Sequence, residues 1–472
     1  MRPCSLLLAA IFTLALLALA PSAHAQITVD TAVNFKIVNK NSGLVLSIQS
    51  ASKTAGATAV QATDDGSPNV LWHFLPDGNN VYKIVNVNSA ELLGISGASL
   101  SMGADAVQWA DNATNDHLWK AIDAGGGEVK LQNVNSGLVL GVSGASRSSG
   151  AIALQWTDNG TTDHLWALVP SGSAYVNPGS VSGSTSVHDP SMLRTAGGTY
   201  YVFSTHNGIQ MRSSSDRRSF ASVGNAFSTI PAWTGAFDNN GNDLWAPDAS
   251  NHNGQYWLYY AASTFGSEHS AIGLATSSTA APGSWIDQGM VYSSASGGSF
   301  NAIDPGLVVD TSGNWWLCFG SWGQDGIDMI QIDPATGKQA ASNTTRYNLA
   351  KRTPGHGIEG AYIYPHAGFY YLFASLDLCC KGISSTYHIV VGRSTNPNGP
   401  YTDRGGIPLT QGGGTILLST HGSIIGPGGQ SVMHDTDGDL LVYHYYDGNN
   451  NGTPLLGINL LGWDSQQWPF LH

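Results

Sequence analysis

Charge is the first thing this sequence is short of. Of its 472 residues, only 11% are Asp, Glu, Lys or Arg, against about 25% in an ordinary soluble domain. Glutamate is the scarcest acid: Glu91, Glu128, Glu268 and Glu359 are the whole set, and there are nine lysines. Helix surfaces are built from such residues, so a coiled coil or helical bundle is excluded. The formal net charge of −13 excludes a nucleic-acid binder of the usual basic kind. Cysteine is almost absent too, with four residues, so the chain is no disulfide scaffold. Beyond residues 6–20 no stretch is long and apolar enough to cross a membrane.

What is abundant is glycine, at 58 residues, with 10% aromatics and 42% hydrophobic residues overall. Strand and turn formers dominate, and so much apolar material argues against disorder. The length suits two or three domains. Residues 1–25 read as a secretory signal: Arg2 is the basic start, residues 6–20 the apolar core and Ala23-His24-Ala25 the cleavage site. The mature chain is expected to begin at Gln26 and to be a soluble, exported monomer. Cys4 precedes the apolar core, so a lipid-anchored cysteine is not expected. Export permits disulfides, and Cys318, Cys379 and Cys380 remain, an odd count that leaves at least one thiol unpaired.

Residues 30–170 repeat with a period of 47. Asn39-Lys-Asn-Ser-Gly-Leu44 returns from Asn86 and again from Asn133. Gln61, Gln108 and Gln155 keep the same interval, as do Asp64, Asp111 and Asp158, and Trp72, Trp119 and Trp166. Within each unit short apolar runs alternate with Gly, Ser and Asn, which is strand and turn. Three equal β units, each too small to bury a face alone, predict closure into a threefold body. Gln108-Trp109 and Gln155-Trp156 resemble the Gln-x-Trp repeat of ricin-type β-trefoil lectins, with Ala62 in place of the first Trp. That resemblance implies a carbohydrate-binding module for plant cell-wall polysaccharide. Yet the positions where the family places a sugar-holding Asp carry Ser47, Gly94 and Gly141. Two readings stand side by side: Gln and Trp hold the core, or Trp109, Trp156 and the aspartates after them form shallow sugar platforms.

Residues 171–175, within a stretch rich in Gly, Ser and Pro, read as a flexible linker. After it, residues 176–472 show a fivefold pattern. A glycine followed by paired aromatic or aliphatic residues recurs at Gly198, Gly254, Gly313, Gly368 and Gly438, at spacings of 56, 59, 55 and 70. Each interval suits a four-stranded sheet, and five sheets set radially predict a five-bladed β-propeller. The expectation is an all-β chain, a trefoil followed by a propeller. Asp189, Asp304 and Glu359 each lie nine residues before their blade's glycine. Equivalent ends of the innermost strands meet on a propeller's axis, so one common place is predicted for all three.

Three converging carboxylates repel, and one must rise in pKa to stay protonated. Structure alone gains little from that. Glycoside cleavage needs it: an acid to protonate the leaving oxygen and a carboxylate to activate water. The surrounding motifs fit. His188-Asp-Pro, Leu244-Trp-Ala-Pro-Asp248, Ser263-Thr-Phe-Gly-Ser267, Asn301-Ala-Ile-Asp304, Phe319-Gly-Ser-Trp322, Ile358-Glu-Gly-Ala-Tyr362 and Gly426-Pro-Gly-Gly-Gln430 resemble family 43 glycoside hydrolases, in the endo-α-1,5-L-arabinanase branch. The resemblance implies inverting hydrolysis of arabinan with Asp189 as base, Glu359 as acid and Asp304 as its pKa modulator. Trp245 and Phe265 are candidates for stacking on sugar, or for core and rim packing. Asn301 and Ser321 are candidates for hydrogen bonds to it. The resemblance also implies a calcium ion on the axis, with His421 at the matching position, and a Cys379-Cys380 pair shared with fungal relatives, either two packed thiols or a strained ring. Rival readings are an exo-acting arabinofuranosidase or β-xylosidase on the same propeller, and a non-catalytic carbohydrate-binding protein.

Overall fold

Short apolar runs cut by Gly, Ser and Asn cannot continue a helix, and they form strands. The computed structural model describes residues 29–472 apart from 32, 174, 239, 240, 242, 354 and 465; the expected signal, residues 1–25, lies outside the described residues. Among these, every regular element is a strand or a short 3-10 turn.

Twelve strands, from Val33–Asn39 to Trp166–Ser173, make one threefold sheet system. Each repeat drives one tryptophan into the common core. Trp72, Trp119 and Trp166 are fully buried, and their indole N–H groups donate to the carbonyls of Leu46, Leu93 and Leu140 at 2.9–3.0 Å. The recurring glutamines are buried as well. Gln108 donates to the carbonyls of Ser52 and Thr54, Gln155 to those of Ser99 and Ser101, and Gln61 to those of Ser146 and Ser148. Each thus staples a hairpin of another repeat, and the three staples close a ring. A buried amide with both donors used this way is a structural device. Its partner ring, Trp109 or Trp156, packs on Gly56 or Gly103 of another repeat.

The family's sugar-holding position is filled. A Cβ at Gly94 or Gly141 would fall 2.2 or 2.3 Å from the ring of His117 or His164. Ser47 Oγ accepts from Asn69 Nδ2 at 2.6 Å. The linker expectation also changes. Residues 171–173 continue the strand Trp166–Ser173, which pairs with Val33–Asn39. Tyr175 then packs edge-on against His73 and tilted on His421. A segment rich in Gly and Ser is therefore held by sheet pairing and an aromatic wedge.

The rest of the described chain forms five antiparallel sheets, apart from the two-residue strand Ser182–Gly183, which pairs parallel at the edge of the first. Their innermost strands are Ser191–Arg194, Leu244–His252, Gly306–Val309, Ile358–His366 and Ile424–Asp435. The predicted aromatic runs are the second strands, such as Trp315–Phe319. The ring closes where Ser186 bridges Leu455 and Gly179 N–H donates to the Ile458 carbonyl.

Every blade has a left-handed residue at one equivalent place, just before or within its innermost strand: Asp189, Ala246, Asp304, Gly360 and Gly429, with φ between 42° and 61°. Each stands two residues before a paired position, as in Ser191↔Phe203, Gly306↔Cys318 and Tyr362↔Phe373. Here the common register needs a correction. Asp189 and Asp304 occupy the left-handed position, whereas Glu359 lies one residue earlier. Twelve residues separate Ser191 from Phe203 and Gly306 from Cys318, but eleven separate Tyr362 from Phe373. The hairpin of the fourth blade is one residue shorter, so an equal count reaches one step further back.

The two bodies share one core. Leu75, Val85 and Leu92 of the trefoil belong to the apolar cluster that holds Tyr401, Leu409 and Ile416 of the propeller. Glu91 is buried at this seam against Gly405.

Candidate active site

All five blades contribute to one narrow cavity, which therefore lies on the axis. Asp189 and Pro190, Ala246 to Asp248, Asp304 and Pro305, Gly360 to Tyr362, and Gly429 to Ser431 line it. A left-handed turn at each strand entry points these groups inward.

Asp189 is the most heavily supported. Its Oδ2 accepts from Thr205 Oγ1 at 2.6 Å and from His188 Nδ1 at 2.9 Å, and its backbone N–H donates to His444 Nδ1 at 3.1 Å. Burial would raise its pKa, but His188, His444 and Thr205 outweigh burial and hold the carboxyl below the usual range. Glu359 has the opposite environment. It is buried, and burial followed by repulsion from Asp189 raises its pKa despite two donors. Those donors are Ser321 Oγ on Oε2 and Tyr387 OH on Oε1, each at 2.5 Å. Asp304 is raised well above the carboxylate range by burial, then by Glu359 and Asp189. Its Oδ2 accepts from Gly360 N–H at 3.0 Å, which ties it to the peptide after Glu359. A fourth acid, Asp248, lines the same cavity, where burial pushes it up to about 7.

The structure thus brings together Asp189, Asp304, Glu359 and Ser321. Ser321 is engaged with the acid, so its hydroxyl proton is not free for a sugar. Asn301 is buried three residues before Asp304, with Oδ1 unpartnered. Trp245 is half-buried, beside the axial Ala246, and its Nε1–H donates to Asp243. Phe265 is 73% exposed, which excludes core packing and leaves stacking on sugar or a place on the rim. Sequence reasoning missed Thr205, His188, Tyr387, His444 and Tyr446 as supports. They come from three blades, and only the His188-Asp-Pro motif marked one of them.

His421 lies elsewhere. It is buried at the seam with the trefoil, with Nδ1 bonded to the Ser419 carbonyl and its ring on Tyr175. Its Nε2 is buried without a hydrogen-bond partner, one open nitrogen for an ion; among the described residues no cluster of three His, Cys, Asp or Glu side chains includes it, so calcium there would draw its oxygens from water. The groups that do cluster have other occupations. His188, Asp189 and His444 bond one another, Cys379 and Cys380 form a disulfide, and Asp111, Asp377 and His388 surround Lys83 and Arg352. Among the described residues Cys318 is the free thiol, and it is buried.

A propeller that gathers on its axis one carboxyl lowered in pKa and others raised has the opposed pair that glycoside hydrolysis uses, and the chain belongs to the glycosyl hydrolases family 43, whose sequence profile matches residues 180–469. The ricin-type beta-trefoil lectin domain-like profile matches residues 25–109 and 113–186. Among similar proteins is the extracellular endo-alpha-(1->5)-L-arabinanase 1 of Bacillus subtilis, 42% identical over 289 residues, which are 60% of this chain and 87% of that protein. A Cellvibrio cellulosa alpha-L-arabinanase solved with arabinohexaose is 36% identical, with a TM-score of 0.58 over 61% of this chain and 96% of its own. An exo-1,5-alpha-L-arabinanase from a bovine ruminal metagenomic library is 37% identical, with a TM-score of 0.58 over 61% of this chain and 97% of its own.

Proposed function

We propose that this glycoside hydrolase is a secreted endo-α-1,5-L-arabinanase that cleaves internal bonds of arabinan with inversion. The observation that carries the residue roles is the opposed environment of two interacting carboxyls: Asp189, in the wall of the axial cavity, is held below the usual carboxylate range, and Glu359, next to the cavity-lining Gly360, is raised above the usual glutamate range. In this reading Asp189 takes a proton from a water, which attacks the anomeric carbon. Glu359 gives its proton to the departing glycosidic oxygen, and the configuration inverts. Asp304 is itself pushed towards the neutral form, so its support for Glu359 is chiefly orientational, through Gly360 N–H. Trp245 and Phe265 would stack on flanking sugars and Asn301 would bond the central one.

The similarity to relatives named as endo-arabinanases favours internal attack. The similar exo-enzyme supports the second reading, release of short units from a chain end. Products from linear debranched arabinan separate the two: a spread of oligosaccharides is expected, and one short product from the first minutes would favour exo action. In the same assay Glu359→Gln should lose hydrolysis by about 100-fold or more and keep its circular dichroism. Normal turnover in that variant would remove the acid assignment. Repeating the assay with a chelator tests the calcium expectation: a loss restored by added calcium would support an ion that the activity needs, and unchanged activity would count against it.

A further inference from the structure

The trefoil carries the same lysine–aspartate pair three times, 28 residues apart in each repeat: Lys36–Asp64, Lys83–Asp111 and Lys130–Asp158, at 2.6, 2.7 and 2.6 Å. The first and third are surface pairs, with aspartates 39% and 38% exposed. The second is sealed, at 8% and 1%. Propeller residues cover it. Arg352 Nη2 donates to Asp111 Oδ1 at 3.0 Å, and Lys83 Nζ donates to Asp377 Oδ2 at 2.8 Å. Arg352 Nη1 closes the square on Asp377 Oδ1, with His388 beside both acids. Two cations and two anions, largely desolvated and mutually bonded, fix relative position sharply, because losing one partner strands another.

Asp377 opens the loop that leads to Cys379–Cys380. The loop is tightly held: Asp377 N–H donates to the Gly357 carbonyl, Leu378 N–H to Thr386 Oγ1 and Lys381 N–H to Ser385 Oγ. Asp377 and Cys380 both adopt left-handed backbone, φ 70° and 64°. That conformation aims Cys380 N–H at Tyr446 OH, 2.7 Å away. An amide can only donate, so the phenol oxygen accepts from Cys380; in a neutral His188, whose Nδ1 faces a carboxylate, Nε2 is the acceptor and takes the phenol's own hydrogen at 3.0 Å. His188 must then carry its proton on Nδ1, which donates to Asp189 Oδ2 at 2.9 Å. With Thr205 also on Oδ2, the Oδ1 lone pairs remain for a water in the cavity. One polarity of hydrogen bonds runs from the seam loop to the carboxylate.

We propose that the second repeat of the trefoil is a positioning element of the catalytic centre: its Lys83–Asp111 pair clamps Asp377, and the clamped loop fixes Asp189 through Cys380, Tyr446 and His188. The inference rests on Asp189 being the base. Lys83, Asp111, Asp377, Tyr446 and His188 are positioning residues, and none need touch the sugar.

The test uses the full chain and a soluble arabino-oligosaccharide, so adsorption to solid polysaccharide plays no part. Asp111→Asn and Lys83→Gln should lower kcat roughly 2- to 30-fold with little change in KM. Lys130→Gln, the same chemistry on the exposed repeat, should leave both unchanged. Tyr446→Phe cuts the relay, and adding Asp111→Asn to it should then cost almost nothing more in kcat. Full multiplication of the two effects would overturn the proposal, since a separate structural loss would multiply. Should the seam variants not fold, opening the disulfide of the native enzyme with a phosphine reductant should lower kcat at constant KM. A kcat unmoved in every seam variant, or by the phosphine alone if none folds, overturns the inference while Asp189→Asn remains inactive. An active Asp189→Asn would instead overturn the reading on which it rests.

Discussion

Glu91 shows how a residue without a catalytic role can set the conditions under which the molecule holds together. Both its oxygens are buried and unpartnered at the seam. Burial, then the nearby Asp403, raises its pKa well above the glutamate range. A raised acid contributes its stability in full below the unfolded pKa and loses it as pH climbs through the folded value. Thermal stability should therefore fall towards alkaline pH, and Glu91→Gln should raise the melting temperature there while changing little in acid. An equal effect at both pH values would mean that Glu91 is not protonated in the fold. Residue by residue, the sequence was most readable where chemistry forces an unusual choice. In a chain with four glutamates, Glu359 stood out by its register with Asp189 and Asp304. Tyr387 and Thr205 did not, because a tyrosine or threonine in a strand-rich chain is ordinary until its partner is known.

At the level of elements, the strand entries govern the site. Gly429 is the left-handed residue of the fifth blade that faces the base, and a Cβ there would sit 2.5 Å from Asp189 Oδ1 and 2.9 Å from the His444 ring. Gly429→Ala is expected to displace the base and cut kcat by up to about 100-fold, with a smaller change in melting temperature. Wild-type turnover would show that Asp189 tolerates the shift. Periodicity made the elements legible: the 47-residue repeat marked the trefoil, and five glycine-led runs marked the blades. It did not disclose the one-residue offset of Glu359, because hairpin length is set by turn geometry and is not counted by spacing between side chains. Nor did it disclose the strand that runs through residues 171–173. Composition suggested a flexible connection there, but pairing with Val33–Asn39 satisfies the backbone and overrides it.

For the whole molecule, the shared apolar cluster and the buried ionic square join trefoil and propeller into one cooperative body. Calorimetry should show a single unfolding transition, and two well-separated transitions would contradict that. The seam was invisible in the sequence because Leu75, Val85 and Leu92 resemble the core residues of any repeat, and only their neighbours across the interface distinguish them.

The sealed lysine–aspartate pair has one more consequence, for how the gene can change. Three repeats descended from one pattern would be expected to drift alike. Here the middle copy answers to two masters, its own fold and the hydrolase beside it, whereas the outer copies answer only to the first. A library of substitutions scored for hydrolytic activity should therefore find the positions of Lys83 and Asp111 intolerant and those of Lys36, Asp64, Lys130 and Asp158 permissive. Grafting a foreign lectin repeat should succeed at either end of the trefoil and fail in its middle.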